Sequence, residues 1–149
     1  DDLRLSQIDL LRNFSMAELE TFRENLVLLE FKKGDKILDE GEKSRDLYLL
    51  KSGSMTVKIH LAGKNRHKRL YTYCPGTLFG EIAFLDGGRR SAGIWAHEDV
   101  EVLKLPYESF QRIQIEKPEM AAKIICNIAL ELGHRLRRIS NQVRLMEDH

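Results

Sequence analysis

The chain is poor in most of the features that announce a function outright. Its 149 residues hold 2 cysteines, 3 prolines and a single tryptophan, and its charges nearly cancel, with 24 Lys and Arg against 23 Asp and Glu. Cys74 and Cys126 lie in unrelated contexts without a CxxC spacing, which fits a reducing, cytoplasmic setting better than a disulfide framework. A formal net charge of +1 lacks the bulk positive field of a free-standing nucleic-acid binder, so no direct DNA binding is expected. Apolar runs such as Leu26 to Leu29 fall far short of the roughly 20 residues needed to cross a bilayer, and the chain reads as soluble with no transmembrane segment. It begins Asp1-Asp2 with neither an initiator Met nor a basic-then-apolar leader, so the expectation is a piece of a longer protein without a secretory signal.

Chemistry is sparse as well. The five histidines, His60, His67, His97, His134 and His149, show no ligand spacing, and no metal site is expected. No Ser, Cys or Lys sits beside a base in a nucleophile motif, so the sequence offers no catalytic residue and does not read as an enzyme.

What is present is a change of grammar along one chain. At this length a single domain can bury roughly 70% of the surface of its unfolded chain, enough for a core without staples. Residues 1–27 read as a helical segment, in which Ser15-Met16-Ala17-Glu18 forms a capping box ahead of a helix from about Met16 to Asn25, with Phe14 and Leu19 placed for a hydrophobic staple. Residues 28–105 are short alternating runs punctuated by glycine. Met55, Val57, Ile59 and Leu61 alternate with Thr56, Lys58 and His60, the period of a strand with one buried face, and such strands at regular spacing predict an antiparallel sandwich or barrel. Lys51 to Ser54 is a tight turn, and Gly63 to Lys68 reads as an exposed, basic hairpin loop. If Ile94 and Ala96 face the core, Trp95 points outward, either as a partly exposed strand residue or as an interdomain or lipid-side contact.

Residues 106–149 return to helix. Pro106 and Pro118 suit first helical positions. A short helix of about Tyr107 to Ile115 precedes one running from Pro118 to about Met146, ~40 Å at about 1.5 Å per residue. Ile125, Ile128, Leu132, Leu136, Ile139, Val143 and Met146 step along it by threes and fours, the last five in a heptad-like seam. Arg135, Arg137, Arg138 and Arg144 make it basic, and read as a solvated face or as a contact with an acidic surface.

One stretch departs from both grammars: residues 75–92, Pro-Gly-Thr-Leu-Phe-Gly-Glu-Ile-Ala-Phe-Leu-Asp-Gly-Gly-Arg-Arg-Ser-Ala. A short turn starts at Gly80 and ends at Arg90 before two small residues. Amides following Gly80 and those around Ser91 and Ala92 can point at an anionic oxygen, and Arg90 can grip a phosphate where lysine supplies only a point charge. Glu81 would repel a phosphate, and makes sense as an acceptor for a donor such as a ribose hydroxyl. The bland alternatives are a structural carboxylate at Glu81 and a surface ion pair of Arg90 with Asp86 or Glu81.

Phe79-Gly80-Glu81-Ile82-Ala83, followed by Arg90-Ser91-Ala92 and preceded by the Tyr48-x-Leu50-x-Ser52-Gly53 hairpin, closely resembles the phosphate-binding cassette (79–92 here) of the cyclic nucleotide-binding domain family. That family includes the bacterial catabolite activator, the regulatory subunit of protein kinase A and the cyclic nucleotide-gated channels, and the likeness covers almost the whole chain. It implies a mainly β fold with flanking helices: an antiparallel, jelly-roll-like β-roll with an N-terminal helix and two C-terminal helices, the last one long. It assigns Arg90 to a cyclic phosphate, Glu81 to the ribose 2′-hydroxyl, backbone groups of Gly80 and Ile82 to the sugar, and the amides of Ser91 and Ala92 to the phosphate cradle, with Ala83 also among the ligand-binding residues. Ser140 and Asn141 fall where the closing helix meets the base.

The sequence departs from the family pattern at Arg89, commonly proline, and at Gly93, commonly Thr or Val. Two adjacent guanidiniums thus compete for the phosphate, and spacing favours Arg90. The implied function is a regulatory sensor of cAMP in preference to cGMP. Its output would go to other domains of a larger polypeptide (a transporter, channel or enzyme) or to a homodimer through the C-terminal helix. A fragment of a catabolite-activator-like transcription regulator and a scaffold that binds nothing are the competing readings.

Overall fold

The computed structural model describes residues 9–62 and 66–147. A 3-10 turn at Asp9–Leu11 leads into helix α1 (Met16–Glu24). Its capping box forms as expected: Ser15 Oγ accepts from the Glu18 amide at 3.1 Å, and the Ser15 amide donates to Glu18 Oε1 at 2.8 Å.

Eight strands follow: β1 (Val27–Phe31), β2 (Lys36–Leu38), β3 (Leu47–Ser52), β4 (Met55–His60), β5 (His67–Tyr73), β6 (Leu78–Phe79), then after the short helix α2 (Glu81–Asp86), β7 (Gly93–Ala96) and β8 (Val100–Leu105). They form two antiparallel sheets, ordered β1-β8-β3-β6 and β2-β7-β4-β5, the β-roll implied by the resemblance. Chain-consecutive β3 and β4 lie in different sheets. The Ser52–Ser54 corner between them needs glycine, because Gly53 has φ +86° and a Cβ there would sit 2.4 Å from the Asp99 carbonyl.

β3 explains why Leu47-Tyr48-Leu49-Leu50 is unbroken apolar sequence instead of alternating. Tyr48 and Leu50 face the inter-sheet core with Met55, Val57, Phe79, Ile94 and Val102, whereas Leu47 and Leu49 face a second core beneath the helices. That second core is closed by α3 (Tyr107–Glu116) and α4 (Pro118–Glu147), which contribute Phe110, Ile113, Met120, Ile124 and Ile128 against Leu10, Leu11 and Phe22. Asn127 locks the N-terminal turn to α4 by donating to the carbonyls of Leu10 and Arg12 at 2.7 and 2.9 Å.

Three boundaries differ from expectation. Pro106 is the N-cap residue of α3, whereas Pro118 does open α4. The basic loop is shorter than 63–68: His67 and Lys68 pair with His60 and Ile59 in the β4–β5 ladder, and residues 63–65 are outside the described set. The apolar seam of α4 is divided. Ile125, Ile128 and Leu132 join the core, while Leu136, Ile139, Val143 and Met146 are 51–75% exposed.

Candidate functional site

The cassette is built on two left-handed glycines. Gly80 (φ +76°) precedes α2 and Gly87 (φ +74°) ends it, its amide donating to the Ala83 carbonyl at 2.8 Å. A Cβ at Gly80 would lie 2.6 Å from Arg90 Nη1 and 3.2 Å from the Tyr48 ring, so glycine here serves close approach as well as conformation.

That approach organises Arg90. The residue is 4% exposed, and all three guanidinium nitrogens donate to uncharged oxygens: Nε to Ser44 Oγ at 3.0 Å, Nη1 to the Gly80 carbonyl at 2.8 Å, and Nη2 to the Asp46 carbonyl at 2.9 Å. Ser44 in turn donates to Glu42 Oε2 at 2.6 Å. Backbone bonds from the Arg90 amide to the Glu42 carbonyl and from the Gly41 amide to the Arg90 carbonyl stitch the cassette's end to the β2–β3 loop. Burial pulls the Arg90 guanidinium below its ordinary value, opposed by Tyr48, Glu42, Asp46 and Glu81. Burial likewise pushes the Tyr48 phenol up to about 12, with Asp46 adding to the rise. Arg89 is different in kind. It is exposed and makes one hydrogen bond, to the Gly41 carbonyl at 3.0 Å. The two adjacent arginines therefore separate by environment, and neither pairs with Asp86, whose Oδ1 accepts from the Gly88 amide.

Glu81, 6% exposed, does not point at Arg90. Its Oε1 lies 2.7 Å from Nη1 of Arg135 on α4, and the Arg135 Nη2 donates to the Leu78 carbonyl at 2.5 Å. Glu131 flanks the pair 3.6 Å from Arg135 Nε. Arg135 thus leaves the solvated basic face on which the sequence placed it and reaches the cassette. Nothing in the cluster Arg135, Arg137, Arg138 marks which of the three does so; only the rotation of α4 against β6 selects it.

Two cavities meet at this point. One, of about 100 Å³, brings together Gly80, Glu81, Ile82, Ala83, Arg90, Ser91 and Ala92 in its lining. The other, of about 800 Å³, lies between the β5–β6 turn and α4, and is lined there by Glu131, Arg135, Arg138, Ile139 and Gln142. Tyr71, Tyr73 and Arg135 line both. Burial, reinforced by the neighbouring Tyr71 hydroxyl, raises the Tyr73 phenol far above its ordinary value. Ser140 and Asn141 are on the exposed side of α4 and line neither cavity. Trp95 is half-buried on the outer sheet face between Ile94 and Ala96, both buried, with Lys36 and Lys58 about its ring at 5.1 and 5.0 Å. The same ring explains Gly93, where a Cβ would come within 2.5 Å of it. Among the described residues no cluster of His, Cys, Asp or Glu could hold a metal, and no helix is long and apolar enough to cross a membrane.

The chain is thus a two-sheet β-roll in which the segment between β6 and β7 carries a short helix, a buried carboxylate and a buried arginine beneath a long C-terminal helix. The profile of the cyclic nucleotide-binding domain matches residues 28–116, and the chain belongs to that family. It is 35% identical over 117 residues to the cyclic AMP receptor protein of Thermus thermophilus, covering 78% of this chain and 51% of that one. It is 31% identical over 142 residues to glutaminase 2 of Bradyrhizobium diazoefficiens, covering 95% of this chain and 21% of that one. The crystal structure of the Thermus thermophilus catabolite activator protein superposes with a TM-score of 0.77 at 28% identity, covering 93% of this chain and 63% of that one. The chain therefore spans about half or less of the length of these curated relatives.

Proposed function

We propose that this chain is a sensor module for a cyclic nucleotide, cAMP in preference to cGMP, and that it acts by binding and not by catalysis. The observation that carries this reading is Arg90: a buried guanidinium held on neutral oxygens keeps its positive charge available for an anion. In the bound state Arg90 and the amides of Ser91 and Ala92 take the cyclic phosphate, Glu81 takes the ribose 2′-hydroxyl, backbone groups of Gly80 and Ile82 line the sugar with Ala83 beside them, and α4 turns to cover the base, bringing in Ser140 and Asn141, which line neither cavity as the helix now sits. The preference for cAMP is supported by the resemblance of Arg90-Ser91-Ala92 to the catabolite activator and by the name of the Thermus thermophilus relative.

The cavity at the cassette, about 100 Å³, is small against the ~300 Å³ and upward of small-molecule sites. Ligand entry thus requires Arg135 and α4 to yield, which opens the site into the adjoining cleft. The free energy available to the switch is the difference in ligand affinity between the two positions of the helix. Output passes to other domains of a longer cytoplasmic protein or to a second copy, for which the exposed Leu136, Ile139, Val143 and Met146 supply an apolar seam. The glutaminase relative, of which this chain covers 21%, favours the first route.

Calorimetry with cAMP and cGMP tests the reading. Binding of cAMP with a rise in melting temperature is expected, and neither heat nor shift at millimolar ligand overturns it. Arg90→Ala is expected to weaken binding on the order of 10- to 100-fold, and Arg89→Ala to leave it within about threefold. The opposite ranking would show that the phosphate is held elsewhere.

A further inference from the structure

We propose that Arg45 is a positioning residue that couples the cassette helix α2 to α3, so that displacement of the cassette is passed to the two C-terminal helices. The proposal rests on the sensing function above and concerns how binding leaves the site.

Arg45 lies in the β2–β3 loop, outside the ligand cavity at the cassette. Its Nη2 donates to the carbonyls of Phe84 at 2.9 Å and Leu85 at 3.1 Å, in the last turn of α2, where backbone acceptors have no partner within the helix and a cation is favoured. The same guanidinium lies 4.0 Å from the ring centroid of Tyr107, the first residue of α3. One planar group therefore joins the end of α2 to the start of α3. Lysine has no plane to lay on the ring while it bonds two carbonyls. Gly87 keeps the approach open: a Cβ there would meet Arg45 Nη1 at 3.1 Å.

The next residue extends the connection to the ligand-binding arginine. The Asp46 carbonyl accepts from Arg90 Nη2, while its carboxylate accepts from the Tyr107 amide at 2.9 Å. A phosphate that draws Arg90 away from the Asp46 carbonyl therefore pulls on the segment that holds both helices. Phe84 of α2 completes the contact, edge-on to Tyr107 at 5.8 Å and to Phe110 at 4.8 Å. These rings transmit displacement as a packed unit.

The test is hydrogen exchange of the whole chain with and without cAMP, joined to calorimetry, in wild type, Arg45→Gln, Arg45→Lys and Tyr107→Leu. In wild type, ligand is expected to change exchange in residues 80–92 and in α3 and α4. In Arg45→Gln the cAMP affinity stays within about threefold and the response in 80–92 persists, whereas the response in α3 falls at least twofold. Tyr107→Leu removes the other half of the contact and gives the same split, and Arg45→Lys restores the response only in part. A merely structural role lowers melting temperature and leaves the ligand-induced response of α3 intact, and that result overturns the proposal. If wild type binds no cyclic nucleotide, the sensing function falls and the coupling with it. If wild type binds and both variants respond in full, the coupling alone is overturned.

Discussion

Breaking the contact between Glu81 and Arg135 tests whether α4 is fastened to the cassette by charge. The two side chains are 8% and 22% exposed and 2.7 Å apart, so neither is fully screened by solvent. Charges about 4 Å apart attract by about 4 kcal/mol at an effective dielectric of about 20. Desolvation cancels much of that, and the fraction of Arg135 still in water weakens it further, which leaves a net coupling of about 1–2 kcal/mol. Arg135→Ala loses this coupling, strands the Glu81 carboxylate and frees the Leu78 carbonyl, so a loss of about 2 kcal/mol is expected, or roughly 4–8 °C in melting temperature at this chain length. Glu81→Gln by itself costs less, because its amide oxygen still accepts from Arg135. The decisive measurement is a double-mutant cycle of Glu81→Ala and Arg135→Ala by denaturant unfolding at low and at 1 M salt. A coupling below about 0.3 kcal/mol, the scatter of additive sites, would refute the reasoning and leave α4 held by its apolar face alone.

Three other outcomes follow from the structure. Gly80→Ala forces a Cβ into a φ +76° residue 2.6 Å from Arg90 Nη1; it should cost about 1–2 kcal/mol in a chemical melt and weaken cAMP binding together with stability. Ile128→Ala, at a fully buried site where α4 meets the N-terminal turn, should cost about 2–4 kcal/mol, whereas Ile139→Ala, 55% exposed, should change the stability of the isolated chain by less than about 0.5 kcal/mol. Because the Tyr48 phenol is raised from 10.0 to about 12, the unfolded chain loses its proton first. The stability that Tyr48 contributes is complete below pH ~10 and is lost as pH rises from 10 towards 12. Tyr48→Phe should flatten that alkaline decline, read as melting temperature against pH.

Local chemistry wrote much of this protein into its sequence. Ser15 and Glu18 cap α1 because both partners lie within one turn, and the short turn starting at Gly80 is legible as a break in the strand pattern, whereas its end at Gly87 and the 2.8 Å bond that joins Arg90 to the Gly80 carbonyl belong to the folded state. The unbroken apolar run of β3 announced a strand and hid its reason, a core on each face, which requires the second sheet and the helices to exist. Tertiary structure alone chose among equals. Arg135 instead of Arg137 or Arg138 reaches Glu81, and Arg45 finds the end of a helix 39 residues away in sequence. Likewise Arg90 is held by carbonyls of Asp46 and Gly80 that no side-chain pattern could reveal. Spacing within an element is fixed by a local period. Which charge faces which across elements depends on how the helices seat against the sheets, and that is set by the whole core at once.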